Sequence, residues 1–378
     1  MRIAVPKETW PGELRTAMVP ANAKRLVKLG FEISVESGLG LAAGFSDAAF
    51  EEVGATVVSD RAALFHQAEM ILRVRKPELS EVAGLPSNAI HVSFLDPFNE
   101  RELVEALAAQ GVTSLSMEMI PRSTRAQKMD ALSSQANLAG YVTVIEAAHL
   151  CPQAFPMMMT PSGTIRPARV FVIGAGVAGL QAIATAKRLG ARVEAFDTRP
   201  VVAEQVRSLG AKFVEIDLGE VGQTEQGYAK ALTPEQIALQ REGQKKVVAE
   251  SNVVITTAQL FGRPAPRIVT MDMIQQMQPG SVLVDMAVET GGNVEGSVLD
   301  QVVDINGVKI IGRGNLPSQV SRSASEMYSN NLVNLIEEFW DAESKQLQLA
   351  ADDEIVQAAV VTRDGTLVNE TIRNAYGE

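Results

Sequence analysis

Apolar residues along this chain fall into short runs separated by longer stretches with helical spacing. The runs at 3–5, 32–36, 70–74, 90–94 and 113–116 read as strands. Helical spacing over 21–29 and 99–110 reads as two helices, the first stopped by Gly30. Strands alternating with helices predict parallel βαβ units. The middle of the chain repeats this logic more strongly, with strands expected at 169–174, 192–196, 212–215, 252–256, 281–284 and 308–311. Helices are expected at 179–189, 203–209, 234–251 and 271–277, and Pro234 suits a first helical turn capped by Thr233.

Two segments stand outside the alternation. A long helical pattern covers 133–149 and leads into a stretch rich in proline and methionine, 152–167. A second long helical pattern, from Ala324 to about residue 347, follows the last strand of the second set and has no place in that sheet. It is expected to pack back on the first domain, which is then built from both ends of the chain. The expected fold is α/β, with two doubly wound domains of mainly parallel sheet, the second inserted in the first. The expected bounds are 1–132 with 320–378 for the first domain and 133–319 for the second. A length of 378 residues suits two domains.

Composition narrows the function classes. Hydrophobic residues make up 46% and charged residues 21%, which is enough apolar material for sizeable cores. A net charge of −11 argues against nucleic acid or an anionic membrane as partner. The opening Met1-Arg2-Ile3-Ala4-Val5-Pro6-Lys7-Glu8 reads as a strand and not as a signal peptide. No stretch reaches the roughly 20 apolar residues of a membrane span, so no direct membrane insertion is expected. Cys151 is the one cysteine, which excludes an internal disulfide, and it reads as a small buried apolar residue. His66 and His149 lie in helical patterns as surface or packed side chains, and His91 opens an apolar strand as a structural residue. None of the three is spaced as a metal ligand, and no metal is expected.

The candidate chemistry begins at Gly174-Ala175-Gly176-Val177-Ala178-Gly179. An apolar strand runs straight into this segment and an apolar helix leaves it. The acidic residue Asp197 ends the next strand, 23 residues after Gly174 (197 − 174). Gly174 permits a tight turn, Gly176 lets a pyrophosphate approach the backbone, and Gly179 lets the helix sit close to the strand. The helix N-terminus offers free N–H groups and a partial positive charge to phosphate. Together these predict a Rossmann-type dinucleotide site, and both domains are expected to be Rossmann-like. A carboxylate at Asp197 accepts ribose hydroxyls and repels a 2′-phosphate, which favours NAD over NADP. Arg199 reads as a solvated surface arginine, with a softening of that repulsion as the alternative. The expected nucleotide-binding set also takes in Thr198, Thr257, Ala258 and Asn315.

The segment Arg122-Ser123-Thr124-Arg125-Ala126-Gln127-Lys128-Met129-Asp130-Ala131-Leu132-Ser133-Ser134-Gln135 closely resembles the nicotinamide-side loop of the proton-translocating nicotinamide nucleotide transhydrogenase family. Phe155-Pro156-Met157-Met158-Met159-Thr160 and the glycine segment resemble that family as well, and the resemblance covers essentially the whole chain. It implies the NAD(H)-binding component, the leading portion of the alpha subunit where that subunit is split. The implied activity is hydride transfer from NADH to NADP⁺ held on a separate partner domain, coupled by membrane subunits to proton movement. The implied location is cytoplasmic, peripheral at the inner face of the membrane. Carried over residue by residue, the resemblance implies that Arg122 contacts the nucleotide and Gln127 reaches towards the second nucleotide. It implies that Asp130 and Ser133 orient the carboxamide, and that Tyr228 belongs to a mobile loop. Direct hydride transfer needs the two rings held close with water excluded, and Arg, Gln, Asp and Ser are suitable positioning groups. Read from the residues alone, the loop is equally a polar cap on the following helix, with Asp130 as N-cap.

The N-terminal half is also similar to NAD-dependent alanine dehydrogenase, and Arg15 stands where that family binds the substrate carboxylate. That resemblance departs at the chemistry. The family's Lys-Val-Lys-Glu-Pro segment reads Arg73-Val74-Arg75-Lys76-Pro77 here, and Asp96 follows Phe94-Leu95 where a catalytic histidine is needed. Arg75 does not readily exchange a proton, and a carboxylate at Asp96 does not titrate as an imidazole does. A third reading is an NAD-binding regulatory module without turnover. Finally, Phe155 and Met157–Met159 form an apolar cluster ahead of a Pro161-Ser162-Gly163 turn, which suggests a projecting hairpin. A homodimer with 155–167 as contact arm covers such a patch, and folding back on its own domain is the alternative.

Overall fold

The computed structural model describes residues 1–219, 221, 222, 232–260 and 262–377. The chain divides into two compact units, Met1–Gln135 with Ser318–Glu378, and Ala136–Pro317. The first division falls inside the helix Ala131–Leu150, which starts one half-turn before the expected 133.

The first unit is built on an eight-stranded sheet. Its order is Thr366–Leu367, Val360–Arg363, Thr113–Ser116, Ile90–Phe94, Met70–Arg75, Arg2–Val5, Glu32–Glu36 and Thr56–Val58. The six strands from Thr113–Ser116 onward are parallel, and their central members are buried on both faces, which is why they read as continuous apolar runs. The two strands from the tail are antiparallel additions at one edge, with the Thr362 hydroxyl 2.7 Å from Ser114 Oγ. The helix Ser321–Phe339 buries Tyr328, Leu332, Val333 and Ile336 in the same core as Ile3, Val35 and Leu72. It ends at Phe339 and not near 347. A short ladder of Trp340–Asp341 with Gln346–Leu347 follows, because the Asp341 carboxylate accepts the Glu343 N–H and the Ser344 hydroxyl and so forms a turn.

The second unit carries a seven-stranded sheet in the order Lys212–Phe213, Arg192–Phe196, Arg169–Ile173, Val253–Thr256, Val282–Asp285, Val308–Gly312 and Gln301–Ile305. All pairs are parallel except the last, an edge hairpin whose turn is Asn306-Gly307, both at positive φ. Lys212–Phe213 and the helix Met271–Ile274 are shorter than their expected spans. The helix Pro234–Ala249 begins as expected, with Thr233 and Gln236 bonded reciprocally at its start.

Met158–Thr160 and Gly163–Ile165 form a two-stranded hairpin that leaves Met157, Met158, Met159 and Ile165 exposed. Phe155 is not part of that patch. It is buried with Val144, Ala168 and Val170, where an aromatic ring removes more apolar surface from water than it would at the root of a hairpin. Cys151 is buried, His66 and His149 are exposed, and His91 is fully buried. Among the described residues no helix is long and apolar enough to cross a membrane.

Candidate functional site

In the second unit the strand order reverses between Arg169–Ile173 and Val253–Thr256. The crevice beyond the carboxyl ends of two such strands is where open α/β sheets bind ligands. Gly174 leaves the first strand at φ +100, and Thr257 follows the second. The Thr257 hydroxyl donates to the Gly174 carbonyl at 3.0 Å, and its N–H donates to the Ile173 carbonyl at 2.9 Å. A Cβ on Gly174 would stand 2.5 Å from Thr257 Oγ1, and one on Gly179 would stand 1.9 Å from the Gly174 carbonyl oxygen. A Cβ on Gly176 would meet no protein atom within 4 Å. Two glycines are therefore demanded by the fold and the third faces open space. Gly176 caps the helix Val177–Arg188 without any side chain satisfying its first turn, and no acidic residue lies there. The N–H groups of Val177 and Ala178 are placed for an anion. These residues fit the phosphates of a dinucleotide.

Asp197 follows Arg192–Phe196 and is buried. Its Oδ2 accepts the Ala175 N–H at 2.7 Å, which ties it to the glycine segment. Arg199 does not lie out in solvent. Its N–H and Nε donate to Asp197 Oδ1 at 2.8 and 2.9 Å, and its Nη2 donates to Oδ2 at 2.9 Å. A buried carboxylate needs a compensating charge, and the guanidinium two residues on has the bidentate geometry to supply it. The bond to Asp197 holds Arg199 above the ordinary arginine range. Ribose hydroxyls that bind Asp197 must share it with, or displace, Arg199. Thr198 sits between the two, partly buried.

Ala258 is fixed by residues the sequence did not single out. Asn293, fully buried, accepts the Ala258 N–H at 3.0 Å and donates to the Ala258 carbonyl at 2.9 Å and to that of Pro266 at 2.8 Å. Asp285, at the end of Val282–Asp285, accepts the N–H groups of Ala287, Asn293 and Val294. An acid at a strand's carboxyl end was the available signal for Asp285. Asn293 lacked one, since its partners come from distant turns. Asn315 has positive φ and donates its N–H to Glu289 at 3.1 Å. Tyr228 lies outside the described residues.

The remaining candidates belong to the first unit. Arg122 is exposed, with Nε 4.0 Å from Asp130 Oδ2. Gln127 opens a short 3₁₀ turn, Gln127–Met129, and is exposed between the fully buried Ala126 and Met129. Asp130 accepts the Ser133 N–H at 2.8 Å and the Ser133 hydroxyl at 2.5 Å, so both residues also cap the helix Ala131–Leu150.

Arg15 is buried and closed off. Its Nε and Nη2 each donate to Glu13 at 2.7 Å, and its Nη1 donates to Gln135 at 2.9 Å. Arg75 adds a bond to Glu13 at 3.0 Å. Burial raises Glu13, but Arg15 and Arg75 outweigh it and hold the carboxyl at about 2. Nearby, Glu8 accepts the N–H groups of Val74 and Arg75, and burial pushes its carboxyl up to about 7. Asp96 pairs with Lys76 at 3.2 Å.

Comparison with known proteins places this chain. The model described as "Alanine dehydrogenase/PNT, N-terminal domain" matches residues 4–139, and "Alanine dehydrogenase/PNT, C-terminal domain" matches 143–370. The first portion of the split NAD(P) transhydrogenase alpha subunit of Rhodospirillum rubrum is 45% identical over 379 residues, covering 98% of this chain and 99% of that protein. The crystal structure of transhydrogenase from Sinorhizobium meliloti superposes with a TM-score of 0.88 at 44% identity, covering 97% of this chain and 100% of that one. The alanine dehydrogenase of Halomonas elongata is 31% identical, covering 100% of this chain and 97% of that protein. This chain belongs to the alanine dehydrogenase/PNT family and stands nearer to these transhydrogenase proteins than to that alanine dehydrogenase.

Proposed function

We propose that this chain is the NAD(H)-binding component of a proton-translocating NAD(P) transhydrogenase. The observation that carries the reading is the cradle at Gly176, open where a pyrophosphate has to approach and closed at Gly174 and Gly179. NADH, when bound, supplies a hydride to NADP⁺ held on a partner domain. Val177 and Ala178 N–H groups and the helix dipole hold the phosphates. Asp197 holds the ribose, and Arg199, Thr198, Thr257, Ala258 and Asn315 complete the nucleotide-binding set. Arg122, Asp130 and Ser133 hold and orient the nicotinamide carboxamide, and Gln127 reaches to the second nucleotide. None of these roles moves a proton, as suits direct hydride transfer, where positioning supplies the rate.

The state of Arg15 favours this reading over an amino-acid dehydrogenase. A substrate carboxylate needs its guanidinium, and Glu13 already holds it in bidentate form. Membrane subunits are needed for proton coupling, which implies a peripheral, cytoplasmic position at the inner face of the membrane. The exposed methionine hairpin is the contact arm of a homodimer, since two strands with an uncovered apolar face are marginal in water.

The test sets two assays side by side. Mixed with an NADP-binding transhydrogenase domain, the chain is expected to exchange hydride between NADH and the thionicotinamide analogue of NADP⁺. Given NAD⁺ and L-alanine, it is expected to form no NADH. The reverse pattern supports the dehydrogenase, and bound NADH without turnover in either assay supports a regulatory module.

A further inference from the structure

The turn that carries Gln127 is held in place from the far end of the chain. The Lys128 carbonyl accepts two amide N–H bonds from the helix Ser321–Phe339, one from Asn331 at 3.0 Å and one from Asn334 at 2.9 Å. Asn331 is buried, and its Oδ1 accepts the Ser134 hydroxyl at 2.7 Å. One side chain thus spans from the turn to the helix start that Asp130 and Ser133 form. On the other flank, Arg125 Nε donates to Glu338 at 2.7 Å and Nη1 donates to Asp353 at 2.7 Å. Lys128 Nζ reaches the second oxygen of Glu338 at 2.7 Å. Arg125 lies over the Phe339 ring at 5.6 Å, and Asp353 also caps the helix Glu354–Ala359.

This arrangement is more than an exposed ion pair. Isolated surface pairs contribute little to stability. Here two tail acids, one buried asparagine and the buried Ala126 and Met129 converge on a turn with two outward side chains between those anchors, Lys128, which Glu338 holds, and Gln127, which has to be placed accurately. We propose that Asn331 and Arg125 are positioning residues for hydride transfer. They fix the Gln127–Met129 turn from the helix Ser321–Phe339 and from Asp353, so the tail sets where Gln127 stands. The inference rests on the transhydrogenase reading.

The experiment uses the full chain, an NADP-binding transhydrogenase domain, NADH and the thionicotinamide analogue of NADP⁺. Asn331→Asp keeps shape but sets a carboxylate oxygen against the Lys128 carbonyl. Arg125→Ala removes both acid contacts, and Arg125→Lys restores one. Arg322→Ala, on the same helix but bonded to the Gly44 carbonyl, is the control. Displacements near 1 Å at such a site slow transfer up to about 100-fold. Asn331→Asp and Arg125→Ala are expected to lower the rate at saturating NADH by about 10- to 100-fold with NADH affinity kept. Arg125→Lys recovers part of the rate, and Arg322→Ala behaves as native. In a Gln127→Ala background neither variant adds a further loss, because both act through Gln127.

Urea unfolding accompanies each variant. If Asn331→Asp does not fold, the half-exposed Arg125 carries the test. Unchanged transfer in the Arg125→Ala protein, losses that multiply with Gln127→Ala, or affinity falling in step with rate each overturn the proposal alone. A native chain that exchanges no hydride overturns the functional reading and the proposal with it.

Discussion

Two glycine-to-alanine substitutions three residues apart are expected to separate what the fold needs from what the ligand needs. Gly176 has φ −77 and ψ −166, an extended conformation open to alanine, and its Cβ would meet nothing within 4 Å. Gly176→Ala is expected to leave stability unchanged or raise it by about 0.4–1 kcal/mol through the unfolded chain. In the proposed cradle the same methyl stands where the pyrophosphate would approach. Overpacking there is expected to weaken NADH binding by about 1–3 kcal/mol, roughly 5- to 150-fold. Gly179→Ala has the opposite profile. Its Cβ would lie 1.9 Å from the Gly174 carbonyl oxygen, where ordinary contact begins at 3.4 Å, so the helix must retreat by 1.5 Å (3.4 − 1.9). Ala182, Ile183 and Ala186 pack that helix on the sheet without exposure, so retreat opens gaps along the whole face. A loss of about 1–3 kcal/mol or more in urea unfolding is expected. Calorimetric titration with NADH and urea unfolding of both variants decide the matter. A Gly176→Ala chain that binds NADH as tightly as native refutes the cradle, and a fully stable Gly179→Ala refutes the packing argument.

Three further outcomes follow from the structure. Asp197→Ala is expected to weaken NADH by about 1–3 kcal/mol and to narrow the preference over NADPH, since Arg199 is released beside the ribose; calorimetry with both nucleotides checks it, and unchanged affinities contradict it. His91 is held at about 3, below the ordinary 6.5, by burial and then by Arg73. A depressed histidine is neutral in the fold, so its contribution is full above pH 6.5 and lost as pH falls towards 3; His91→Leu is expected to flatten that loss in urea unfolding across the window, and identical slopes contradict it. Deleting 157–165 is expected to turn a dimer into a monomer by light scattering, and a dimer that survives removes the hairpin from the interface.

Much of this molecule was legible from periodicity, and the parts that were not share a cause. Parallel strands such as Met70–Arg75 and Val253–Thr256 are buried on both faces and announce themselves as apolar runs. Edge strands do not. Gln301–Ile305 is largely exposed and its apolar residues are interrupted by Asp304, although Asn306-Gly307 was a usable hairpin signal, and Val360–Arg363 pairs with a strand far away in sequence. The glycine segment was readable because each glycine answers a local steric demand. The Asp197–Arg199 pair was not, since i, i+2 spacing does not say whether an arginine turns back or out. Asp285 and Asn293 act through backbone groups of several turns, and a sequence does not show which turns converge.

In the proposed function the Arg122–Ser133 loop positions a hydride transfer and does not merely bind nucleotide. The most direct measurement is the transfer rate of Gln127→Ala beside native chain, at saturating NADH with an NADP-binding transhydrogenase domain, with NADH affinity measured by calorimetry on the same samples. An interaction made only in the transfer complex lowers the rate and leaves binary affinity alone. A rate at least about tenfold lower, with NADH affinity kept, is expected. Rate and affinity falling in proportion, or a Gln127→Ala chain that transfers hydride at the native rate, contradicts it.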